Sequence, residues 1–192
     1  GGVVYTVHAT IDNADAAFAT FSRAMREDPR NETTHAQLDR LARGLDKWGE
    51  VSALYDQVAN DAGEDDLKVA LLFRRAQIQE HELRDNEGAV ATYERVLKAS
   101  PSTVEAATAI QTIHERTGDW PKLVDIVKRK SELLVNLDER KQLLYRAAQI
   151  EEEVLGNADA AIATFRQVLS IDDVDMTAMD AIERLYVRLA RW

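Results

Sequence analysis

Phe73-Arg-Arg-Ala76-Gln-Ile78-Gln-Glu80, followed by Ala89-Val-Ala-Thr-Tyr93-Glu-Arg-Val96-Leu97 and Pro101 and closing at Gly118-Asp119-Trp120, decides the fold, because the chain writes it more than once. Trp48, Trp120 and Trp192 stand at a constant step of 72 residues. Phe21, Tyr93 and Phe165 keep the same step, as do Ala17, Ala89 and Ala161, and Leu41, Ile113 and Leu185. Asn13-Ala-Asp-Ala-Ala-Phe-Ala-Thr-Phe21 returns as Asn157-Ala-Asp-Ala-Ala-Ile-Ala-Thr-Phe165. A step held without insertion means a repeating architecture, in which each unit packs on its neighbours.

Composition narrows the kind of repeat. With 8 Gly and 3 Pro in 192 residues, turns and short strands have little material, so helix is favoured throughout. Hydrophobic content of 45% and charge of 30% suit a soluble globular chain. No apolar run approaches the roughly 20 residues of a membrane helix. The formal net charge of −10 opposes a nucleic-acid backbone as the main ligand. The absence of cysteine excludes disulfides and thiolate metal sites and allows a reducing, cytoplasmic setting.

Apolar residues then recur at three- and four-residue spacing, as on a helix face. The pattern gives helices near 31–45, 67–83, 87–99, 103–117, 120–134, 158–170 and 174–189, about ten in all. Asn13 or Asp15, Asp46, Ser102 and Asp119 read as N-caps. Glu105 completes a capping box with Ser102, and Gly118 and Gly156 read as left-handed helix stops. Residues 1–12 lack a charged face and read as a truncated or degraded terminal helix, with a short extended segment as the alternative. The following array divides into period segments 13–65, 66–137 and 138–192. Trp192 stands where a helix should begin, which suggests a piece of a longer array.

Catalytic motifs are missing: no phosphate loop, no Gly-x-Ser-x-Gly and no His-Glu-x-x-His, so the chain reads as no enzyme. Glu32-x-x-His35 has di-metal spacing but no second copy, so neither metal nor cofactor is expected. Glu151-Glu152-Glu153 reads as a solvated face, and Glu64-Asp65-Asp66 as a helix start. Trp48, Trp120 and the tyrosines at 55, 93, 145 and 186 read as packing residues.

The 34-residue hairpin Ala70–Thr103, with Phe73, Ala76, Ala89, Tyr93, Val96 and Pro101, resembles the tetratricopeptide repeat. Tyr145, Ala148, Gly156, Ala161, Phe165 and Val168 repeat the pattern, whereas Val104–Leu137 departs from it at Leu123 and Val135. The resemblance implies an all-α right-handed solenoid of about five antiparallel hairpins, acting as a protein-interaction scaffold. It implies that the first helix of each hairpin lines a concave face, with Arg40, Arg43, Arg74, Ile78, His81, Thr108, Thr112, Glu115, Arg146, Ile150, Glu153, Arg184 and Arg188 on it. Arginine forks there suit a peptide of acidic character; the alternative is that they pair with carboxylates on adjacent helices. Rival readings are an RNA-processing scaffold of half-a-tetratricopeptide type and a self-assembling array joined through its ends.

Overall fold

In the computed structural model, residues 2–189 are described, with side chains over 13–189. The described residues form ten α-helices and no strand. They fall into two compact units, Gly1–Pro101 and Ser102–Trp192.

The first unit holds α1 (Gly2–Glu27), α2 (Glu32–Leu45), α3 (Trp48–Asp61), α4 (Asp65–His81) and α5 (Asn86–Ala99). Each helix packs on the next, from α1 on α2 to α4 on α5, joined by short turns as in antiparallel hairpins. The second unit holds α6 (Val104–Thr117), α7 (Trp120–Leu133), α8 (Leu137–Gln149), α9 (Ala158–Ile171) and α10 (Met176–Arg188). There too each helix packs on the next, and α8 runs into one π-helical turn, Ile150–Val154.

Helix starts keep the sequence step of 72: Glu32, Val104 and Met176; Trp48 and Trp120; Asp65 and Leu137; Asn86 and Ala158. The helix stops follow. Asp46 and Gly118 are left-handed, with φ of 56° and 71°, and so are Arg84 and Gly156, at 56° and 64°. Glycine holds that backbone without a Cβ penalty, whereas Asp46 and Arg84 carry it at some cost.

The repeated residues do repeated work. Ala89 and Ala161 are fully buried, so adjacent helices approach closely. Tyr93 and Phe165, four residues on, are 2% and 6% exposed. Tyr93 meets Phe73 at 5.3 Å between centroids, and Phe165 meets Tyr145 at 6.0 Å, both tilted towards an edge contact. In the second unit Leu144, Ala148, Ile162, Val168, Ala178 and Leu185 complete one core with Phe165.

Several local expectations are corrected. Asn13 and Asp15 are not caps, because α1 runs unbroken from Gly2 to Glu27; residues 2–12 are helix rather than an extended segment. Asp46 ends α2 rather than starting α3, whose N-cap is Lys47. Ser102 is not the N-cap of α6; Thr103 takes that position. Asp119 does cap α7, accepting from the Lys122 N–H. Trp48 is buried as expected, but Trp120 is 38% exposed, its indole lying over the Gly118 turn. Trp192 lies outside the described residues.

Candidate functional site

The second unit carries an open groove of about 460 Å³ between α8 with its π turn on one side and α10 on the other. It exists because α9 holds those two helices apart. Phe165 of α9 is among its lining residues, as is Ala181, whose small side chain leaves room. Gln142, Tyr145, Gln149 and Thr177 supply polar groups, and Arg146, Glu152, Glu153 and Arg184 supply charge.

Each wall is fixed by polar bonds. The Tyr145 hydroxyl donates to Asp175, the N-cap of α10, and Lys141 bridges Asp172 and Asp175 at 2.8 and 3.1 Å. The Tyr145 hydroxyl is pushed up to about 12 by burial and by that carboxylate. Asp175 is held below its ordinary range, chiefly by the bond from Tyr145. Glu152 is also depressed, first by the hydrogen bond from Arg184, with burial opposing.

Expected face residues separate into three groups. Arg146, Glu153 and Arg184 line the groove, and Arg188 reaches its wall through Glu152 at 3.1 Å. Thr112 and Glu115 lie on α6, in the same unit but outside the lining; Thr108 and Thr112 return their hydroxyls to carbonyls of their own helix. Arg40 and Arg43 on α2 and Arg74 and His81 on α4 lie in the first unit; all but Arg74 are exposed. Ile78 and Ile150 are corrected: at 3% and 8% exposure they face the packing between helices, where their apolar side chains belong.

Four of these arginines, Arg74, Arg146, Arg184 and Arg188, have carboxylate partners on other helical segments. Arg74 pairs with Asp39 of α2, Arg146 with Glu115 of α6 at 2.7 Å, and Arg184 with Glu152 at 2.5 Å. The acidic run is corrected as well. Glu151 is 4% exposed and its carboxylate takes Lys128 and the Thr164 hydroxyl, each at 2.5 Å. Glu152 has an 8% exposed side chain, so only Glu153 is solvated. The burial belongs to the position in the hairpin and not to the π turn, since Gln79 and Glu80, 72 residues earlier, are each 6% exposed within the α-helical α4. Past the left-handed Gly156 the Asn157 N–H reaches back to the Glu151 carbonyl at 2.7 Å, as the Asp85 N–H past Arg84 reaches the Gln79 carbonyl at 2.8 Å.

His35, whose spacing from Glu32 alone suggested a metal pair, has both ring nitrogens occupied, Nδ1 by the Tyr55 hydroxyl at 2.5 Å and Nε2 by the Pro29 carbonyl at 2.9 Å. Among the described residues no group of acidic and imidazole side chains is placed to hold a metal, and no helix is long and apolar enough to cross a membrane.

The family description for the tetratricopeptide repeat matches residues 70–103 and 142–172. No curated protein matches the chain in sequence. Among solved structures, the chain is similar to YrrB, described as a tetratricopeptide-repeat protein with an unusual peptide-binding site, at 13% identity over 93% of this chain and 88% of that one, TM-score 0.45. It is similar to BtubC from P. vanneervenii at 13% identity, covering 95% and 84%, TM-score 0.47. A tetratricopeptide repeat protein from Parabacteroides merdae is 19% identical, covering 98% and 72%, TM-score 0.46.

Proposed function

We propose that the chain, whose residues 70–103 and 142–172 match the tetratricopeptide repeat, is an interaction scaffold that holds a segment of a partner protein in the groove between α8 and α10. The observation that carries this reading is the groove itself: a cleft of a size that takes several side chains, with an aromatic ring in its lining and amide, hydroxyl and charged groups around it. Such a surface recognises by shape and hydrogen bonding and performs no bond chemistry. Arg40 and Arg43, exposed on α2, extend the same reading to the first unit. An RNA scaffold is disfavoured, since a chain with net charge −10 offers no basic footprint for phosphates.

Short peptides selected from a random library on the wild-type protein test this. Thr177 is exposed and lines the groove, so Thr177→Trp fills it without disturbing the core. The selected peptides should lose most of their affinity for Thr177→Trp, while circular dichroism stays unchanged. Peptides that bind both proteins equally would place the contact elsewhere and discard the groove.

A further inference from the structure

The groove has two arginines in its lining, yet both guanidinium groups are already engaged. Arg184 uses its two terminal nitrogens on Glu152, Nη1 at 2.5 Å from Oε1 and Nη2 at 3.0 Å from Oε2. That is a filled planar fork, the geometry in which guanidinium holds carboxylate most strongly. Arg188 adds a third bond to the same Oε1 at 3.1 Å. Arg146, across the groove, is held by Glu115 at 2.7 Å.

Exposure shows which partner is fixed. The Glu152 side chain is 8% exposed, whereas Arg184 and Arg188 are 58% and 52% exposed. The carboxylate is seated in the wall, and the two cations reach over to it from α10. A ligand carboxylate approaching Arg184 therefore competes with one tethered within the protein, whose effective concentration greatly exceeds that of a dilute ligand. The groove also carries Glu153, bonded by the Gln149 amide at 3.1 Å, which repels an incoming anion further.

We propose that Glu152 is the specificity-determining residue of this groove: by filling the Arg184 fork it turns away anionic segments, leaving a site for an uncharged stretch of partner chain. Gln142, Gln149 and Thr177 then offer hydrogen bonds to its polar groups, and Phe165 and Ala181 offer apolar contact. This selectivity rests on the groove reading above. It departs from the acidic-peptide reading of the arginines and follows the alternative, that they pair with carboxylates on adjacent helices. Removing the resident carboxylate should convert the same groove into an anion site.

The test compares the wild type with Glu152→Gln, which keeps the size of the side chain and removes its charge. Binding of a fluorescein-labelled oligoglutamate peptide is followed by anisotropy, with oligoglutamine of equal length as the uncharged control. Wild type should bind oligoglutamate weakly. Glu152→Gln should bind it at least about tenfold more tightly, in a salt-sensitive manner, with little change for oligoglutamine. Adding Thr177→Trp to Glu152→Gln should abolish the gain. If Glu152→Gln, and with it Glu152→Ala as a second truncation, gains nothing while staying folded, Glu152 is only a brace between α8 and α10; the inference falls and the groove reading stands. A gain that survives Thr177→Trp puts the anion outside the groove and overturns both.

Discussion

At the scale of single residues, Glu151 places a carboxylate in the interior of the second unit. An ionised carboxylate removed from water is tolerated only when paired and hydrogen-bonded, and Lys128 with Thr164 supplies both. The first unit solves the same position without charge: Gln79 stands 72 residues before Glu151, and its Oε1 accepts from the Thr92 hydroxyl at 2.6 Å. Lys128→Met should therefore destabilise by about 2–3 kcal/mol in urea unfolding, because it strands Glu151. Adding Glu151→Gln should recover most of that loss by copying the arrangement of the first unit. Phe165→Ala, which empties the ring site in the core of the second unit, should cost about 3–5 kcal/mol in the same measurement.

Helices and their turns make the next level, and here the sequence was most readable. Apolar spacing located the hairpins, and Asp119, Gly118 and Gly156 announced their turns, because caps and left-handed stops are set by local chemistry. Asn13 misled for a tertiary reason. Its counterparts Asp85 and Asn157 cap α5 and α9, accepting from the N–H groups of Gly88 and Ala160. Both follow a left-handed residue, Arg84 or Gly156, that turns the chain back. At Asp12 the helix simply continues, so the same asparagine type sits inside α1. Asn157→Ala should thus lower stability by about 1 kcal/mol. Asn13→Ala should leave thermal stability unchanged or raise it by a few tenths, since alanine is the better helix former. The candidate site was half legible for a related reason. The family resemblance pointed to Arg146, Glu153 and Arg184, whereas the part played by Glu152 depends on which carboxylates lie across from which arginines, a tertiary relation that no local spacing records.

For the molecule as a whole, acid should be the condition that loosens it. Glu152 and Asp175 have folded-state values lowered from ordinary values of 4.5 and 3.8. Groups depressed in this way add stability that is complete above the unfolded-state value and is lost as pH falls through the folded one. The melting temperature should hold near neutrality and fall below about pH 4. The gap between wild type and Glu152→Gln should narrow over that same interval in circular-dichroism melts, because glutamine has no proton to gain.

The paired solutions around Glu151 and Gln79 also bear on how such a gene can change. Asp56 stands where the next copy has Lys128, and it takes Arg75 at 2.9 Å and Arg95 at 2.6 Å. Arg75 in turn bonds the Thr92 hydroxyl. A recombination crossover between the two copies, falling after Asp56 and before Arg75, would join Asp56 to Ala147 and Glu151, leaving two acids with no cation between them. The reciprocal product would join Lys128 to Arg75, Gln79 and Arg95, three bases without the Asp56 or Glu151 carboxylate that each copy supplies. Either hybrid inherits a mismatched interior, so the copies are protected from being blended back into one another and remain free to diverge.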